Sequence, residues 1–235
     1  MDEEYRTLNE LLIDFKDVNC PEDFNQIFQI INTNDSNIPS IYANINILLT
    51  SKKDSLSIVY AVLIKAFHKI LFTNIYSNAG DYRKSTEPNG GEVFFGREDK
   101  TGSYPLFKGV DPNKIEDEVM KACKFLIMLP DDPLENALRF FQRFLRIHPF
   151  YDANGRIGRH IVNIYLQRFN LFINWENILN KEGRSRGGQN NKGGKYVRKL
   201  TQCHKFENNS PQYEIYFGYM LSFYQKHLKE IPQET

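Results

Sequence analysis

Apolar residues return at helical spacing over most of the chain. Leu8, Leu11, Leu12 and Phe15 share one helix face, and Phe24, Ile27, Phe28, Ile30 and Ile31 carry the pattern on to a polar stretch from Asn32 to Ser40. A helix is predicted from about Leu56 to Phe72, with Ser55 as its N-cap, and Ser77-Asn78-Ala79-Gly80-Asp81 breaks it. From Arg83 to Gly96 the pattern changes. Pro88-Asn89-Gly90-Gly91 has the composition of a turn and Val93-Phe94-Phe95 favours a strand, so a small hairpin is predicted around Pro88 to Phe95.

Asp111-Pro112 starts a further helix reaching about Met128, with proline at its first helical position. Asp132-Pro133 starts the next, whose stripe is Leu134, Ala137, Leu138, Phe141, Phe144 and Leu145. Ile157, Ile161, Ile164, Tyr165 and Leu166 predict another helix to about Phe169, and Tyr213 to Leu228 an aromatic-rich closing helix. Between them, Gly183 to Lys195 holds five glycines in 13 residues, interleaved with basic side chains, which predicts a loop. The fold class is therefore mainly α with one hairpin: residues 1–50 as a helical extension packed on a core, residues 51–235 as the main domain.

Composition narrows the function classes. A net charge of +1 argues against bulk electrostatic attraction to nucleic acid or an anionic membrane. Cys20, Cys123 and Cys203 lie far apart without ligand spacing, as in a reducing compartment. The acidic start, Met1-Asp2-Glu3-Glu4, lacks the basic-then-apolar order of a secretory leader, and apolar runs such as Ile58 to Ile64 are too short to span a bilayer. These features predict a cytoplasmic protein with neither membrane nor nucleic-acid partner, and leave open its delivery into a host cell.

The densest chemistry lies in His148-Pro149-Phe150-Tyr151-Asp152-Ala153-Asn154-Gly155-Arg156-Ile157-Gly158-Arg159. Pro149 disfavours helical geometry at His148, which places the imidazole at a loop mouth, where a neutral ring can accept a proton. Phe150 is the apolar anchor of this loop. Asp152 suits Mg²⁺, an oxygen-seeking ion usually held by few carboxylates together with phosphates. Asn154-Gly155-Arg156 opens a helix whose free N–H groups and dipole suit a phosphate, and Arg156 and Arg159, three apart, can grip one anion.

This run resembles the motif of the Fic (filamentation induced by cAMP) family, H-P-F-x-[D/E]-[G/A]-N-G-R-x-x-R, at every constrained position. With its flanking helices and the upstream hairpin, the resemblance extends over roughly Ser51 to Leu171, and it implies a Fic-type helical bundle with a β-hairpin flap. It further implies a protein adenylyltransferase that moves AMP from ATP to a Ser, Thr or Tyr hydroxyl and releases pyrophosphate. In that reading His148 is the base, Asp152 holds Mg²⁺, Asn154, Gly155 and Arg156 form the anion hole, and Arg159 orients the terminal phosphate. ATP and Mg²⁺ are the implied cofactors and a protein with a modifiable hydroxyl the partner. A related transferase with another donor (UMP, phosphocholine or phosphoryl transfer) and a catalytically silent peptide-binding module are the alternatives. Gly155 bears on the first, because the kinase-type Doc branch resembles this motif but carries Lys there.

Gly80-Asp81-Tyr82-Arg83 is similar to the family's lead-in to the flap, so Arg83, Phe94 and Phe95 are candidate target-binding residues, with core packing an equal account of either phenylalanine. Members of the family often carry an inhibitory [S/T]-x-x-x-E-[G/N] helix whose Glu pairs with the second motif Arg. Ser210 and Glu214 have that spacing but Ile215 follows, so a solvated helix start is the preferred reading there; control by a separate antitoxin protein, or no Glu-type control, stays open, and an antitoxin or a homo-oligomer is a further candidate partner. His68, His160 and His204 are read as structural.

Overall fold

A computed structural model describes residues 56–72, 77–95, 107–128, 132–175, 178 and 195–231. The predicted helices within residues 1–50, the cap at Ser55 and the Gly-rich 183–194 segment lie outside the described residues. The fold is mainly α, in agreement with the apolar pattern. Helix α1 (Leu56–Phe72) is followed by a turn at 77–80, and Asp111 opens the next helical stretch. The Asp111 carboxylate accepts the Asn113 N–H at 2.9 Å, a 3-10 turn over Pro112–Lys114 follows, and α2 (Ile115–Cys123) continues it.

Asp132 caps α3 (Pro133–Ile147) by accepting the N–H groups of Leu134 and Glu135 at 2.8 and 3.3 Å. An Asp cap of this kind is worth about 1 kcal/mol. The predicted stripe of α3 is buried except for Leu145, which is partly covered. Helix α4 (Asn154–Gln167) crosses α3 at Gly158, where an added Cβ would come within 2.9 Å of the Phe141 ring and 3.2 Å of Phe144. The side-chain-free crossing lets the two helices approach closely, with the loop 148–153 between their ends. Helices α5 (Lys195–His204) and α6 (Pro211–Gln225) pack on one another and on α3.

Two small sheets depart from the sequence reading. Strand β1 (Phe94–Phe95) pairs antiparallel with β2 (Phe107–Lys108), in the register Phe94 to Lys108 and Phe95 to Phe107. Pro88–Gly91 is therefore not the hairpin's turn. Asn89 and Gly90 both take left-handed backbone angles, and the Glu92 N–H closes back on the Asn89 carbonyl, which makes a self-contained turn ahead of the strand. Leu228 does not end the last helix either. It begins β4 (Leu228–Glu230), which pairs with β3 (Leu171–Ile173) directly after α4.

Candidate active site

His148 is the C-cap of α3, with φ 54° and ψ 60°. A non-glycine residue in this left-handed region costs roughly 1–2 kcal/mol and persists only where neighbours hold it. Arg83 does the holding. Its guanidinium donates to the carbonyl oxygens of His148 at 2.8 Å, Val110 at 2.9 Å, Ile147 at 3.3 Å and Gly91, and its N–H bonds the Pro149 carbonyl at 3.0 Å. With 2% of its surface exposed, Arg83 has no face to offer a target. Its bonds tie the base of the flap to the end of α3.

The loop that follows is closed by Asn154. Its side-chain oxygen accepts the Phe150 N–H at 3.0 Å and its amide donates to the Phe150 carbonyl at 2.8 Å. The Asn154 side chain is thus spent on closing the loop. Phe150 is buried, stacked on His68 with ring centroids 3.9 Å apart. His68 Nδ1 accepts the Gly80 N–H at 2.9 Å, and the ring lies beside the Asp152 backbone, so it pins the turn after α1 to the motif loop.

Asp152, Gly155, Arg156 and Arg159 occupy the wetter end. Asp152 accepts the Ala153 N–H at 2.6 Å and faces the Arg156 guanidinium at 3.6 Å, with side chains 62% and 48% exposed. A Cβ on Gly155 would meet only Arg159 Nη1, at 3.4 Å, so the open side of this glycine looks toward the arginine expected to hold the terminal phosphate. Arg159 lies 6.0 Å above the ring of Trp175, itself packed against Phe141 and Tyr224. Trp175 was not singled out by sequence reading. Its only signal was being the sole tryptophan of the chain.

On the flap, Phe94 is exposed, while Phe95 lies flat on the His148 imidazole, with centroids 4.4 Å apart and planes 7° apart. Burial pushes the His148 pKa from 6.5 down to about 4, aided by the Arg83 charge and opposed by the Leu145 backbone and Asp152. His148 Nδ1 is buried and makes no hydrogen bond of normal geometry. Burial thus keeps the ring neutral near pH 7.

The profile described as Fic/DOC family matches residues 59–166, from α1 to the end of α4. The chain carries a Fic domain. Similar solved structures include a Fic family protein from Desulfovibrio desulfuricans G20, at 17% identity and TM-score 0.48 over 94% of this chain and 63% of that one. A Fic domain containing signaling protein from Bacteroides thetaiotaomicron VPI-5482 matches at 17% identity and TM-score 0.45, over 92% of each chain. BepC, a VirB-translocated effector from Bartonella tribocorum solved with bound AMPPNP, matches at 14% identity and TM-score 0.46 over 79% of this chain and 88% of that one. No curated protein matches the chain. The chain thus spans less than two thirds of the Desulfovibrio protein.

Glu214 lies outside the Fic domain proper. Both its oxygens are engaged by Arg139 of α3, at 3.2 and 2.8 Å, while the Ser210 hydroxyl caps α6 by accepting the Tyr213 N–H. Glu214 pairs with Arg139, and Ser210 stands at a helix start. His160, beside Arg159 in sequence, stacks on Phe67 away from the motif loop. Among the described residues no helix is long and apolar enough to cross a membrane, and no group of three or more His, Cys, Asp or Glu could hold a metal ion unaided.

Proposed function

We propose that this Fic-type transferase moves AMP from ATP to a Ser, Thr or Tyr hydroxyl of a target protein and releases pyrophosphate. The observation that carries the reading is the pairing of a neutral, immobilised imidazole at the end of α3 with an open helix start bearing Asp152, Arg156 and Arg159. His148 Nε2 takes the hydroxyl proton as the oxygen attacks the α-phosphorus; the bond from that phosphorus to the bridging oxygen breaks, and pyrophosphate leaves. The backbone N–H groups at the start of α4 and the Arg156 guanidinium bear the α- and β-phosphate charge, and Arg159 orients the terminal phosphate. Such a step depends chiefly on positioning and charge neutralisation.

An exposed carboxylate, Asp152, fits Mg²⁺, which is held by few carboxylates and several phosphate oxygens. When bound, the ion would neutralise phosphate charge. Arg156, now beside Asp152, would turn to the nucleotide.

The test is incubation of the protein and a cell lysate with ATP labelled at the α- or the γ-phosphate in parallel. Label from the α-phosphate on a protein, with labelled pyrophosphate from the γ-labelled sample, is the expected result. Protein-bound γ-label would show phosphoryl transfer and overturn the reading of Gly155.

A further inference from the structure

Behind the flap lies a buried polar chain that the reaction as described does not use. The Tyr213 hydroxyl of α6 donates to Gln142 Oε1 of α3 at 3.1 Å, and Gln142 Nε2 donates to His204 Nδ1 of α5 at 3.1 Å. All three side chains are buried, with Gln142 at 1% exposure. With Nδ1 accepting, the His204 proton sits on Nε2, and burial keeps the ring neutral down to about 3. Its ring stands in edge-to-face geometry to both flap phenylalanines: Phe95 at 5.8 Å and 89°, Phe107 at 5.5 Å and 72°. The opposite relation of Phe95 is its flat stack on His148.

We propose that His204 is a positioning residue for the catalytic base: its edge-to-face contact fixes Phe95, and Phe95 fixes the plane of the His148 imidazole. An edge-to-face contact is directional, since the positive ring edge seeks the negative π face, so it sets the tilt of Phe95 as well as its distance. The Gln142–Tyr213 chain holds the tilt of His204 in the same way. The docking of α5 and α6, which lie beyond the Fic match, thereby reaches the proton acceptor in two ring contacts. The inference rests on the adenylyl-transfer reading for its effect on rate, and on geometry alone for its effect on the ring.

Both effects can be read separately. The chain has five histidines, so the ring Cε1–H signals of histidine-labelled protein are resolvable, and the His148 signal is identified by its absence in His148→Gln. Stacking under Phe95 shields it. His204→Asn keeps an acceptor for Gln142 but removes the ring edge: the His148 signal should move downfield, ATP affinity by calorimetry should hold, and α-label transfer should fall by about 10- to 10²-fold, the scale of a small misplacement. His204→Phe restores the edge without the acceptor and should return the signal and most of the rate. Tyr213→Phe, a milder change, should move the signal the same way by less, and it serves where His204→Asn does not fold. An unmoved His148 signal in the folded His204→Asn and Tyr213→Phe proteins, or a shift in His204→Phe as large as in His204→Asn, overturns the inference. Absence of transfer in the wild type with the signal shifts as expected overturns only the adenylyl-transfer reading.

Discussion

The two ends of the twelve-residue motif are built differently. From His148 to Phe150, with Asn154, the polar backbone is covered and bonded to Arg83, Phe144 or Asn154, and Phe95 roofs the imidazole. At Asp152 and Arg156 the side chains stand in solvent with a 3.6 Å ion pair between them. On the proposed reading, the groups that would set a direction for proton transfer are held by desolvated bonds, which are stiff. The charges that would exchange water and each other for phosphate and metal are left where exchange is cheap, since an exposed pair contributes only about 0–1 kcal/mol.

Acidification should give the largest effect. Burial holds His68, His148 and His160 at about 4 and His204 at about 3, against 6.5 in the unfolded chain. Their contribution is complete above pH 6.5; as pH falls the unfolded chain binds protons first, so stability is lost progressively through 6.5 toward 4. Thermal melts across that window should show a steep fall in Tm, and a flat profile would break the picture of a dry half.

Next in size, His148→Ala should lower transfer by about 10²–10⁴-fold with ATP affinity nearly unchanged, because the ring acts on the hydroxyl rather than the phosphates. A parallel loss of ATP affinity would erase the division between the ends. A smaller but sharper contrast pairs two arginines. Arg83→Met leaves buried carbonyls without donors and should cost about 1–3 kcal/mol or more in denaturant unfolding, whereas Arg156→Met should stay within about 0.5 kcal/mol. Equal losses would mean that both ends are built alike. The smallest change concerns Ala153, which takes φ 65°. Ala153→Gly removes a steric penalty and should stabilise the protein by up to about 1 kcal/mol, net of the glycine's greater entropy loss.

What sequence made legible was local. Asp132-Pro133 and Asp111-Pro112 announce helix starts because cap and first turn are contiguous, and the 3.6-residue stripe of α3 needs no partner to be read. Phe150 as an anchor follows from one apolar residue among polar ones. The misplaced features are non-local. Two left-handed residues at Asn89 and Gly90 suit a hairpin turn, yet strand β1 finds its partner beyond Gly96. A three-residue strand such as β4 is too short to show a period, and its mate lies far back along the chain, Leu228 pairing with Ile173, 55 residues away. Nothing in spacing distinguishes Arg139 from Arg159 as the partner of Glu214. Nor does it mark Arg83 as buried, since arginine in a sequence reads as surface until its carbonyl partners are known.

Trp175 has a practical consequence. It is the only tryptophan in the chain, and the Arg159 guanidinium lies 6.0 Å above its ring. Indole emission is therefore an intrinsic optical report on the side chain expected to meet the terminal phosphate, free of background from any other tryptophan. A titration with nucleotide can be followed by light on the unmodified protein, before any target is known.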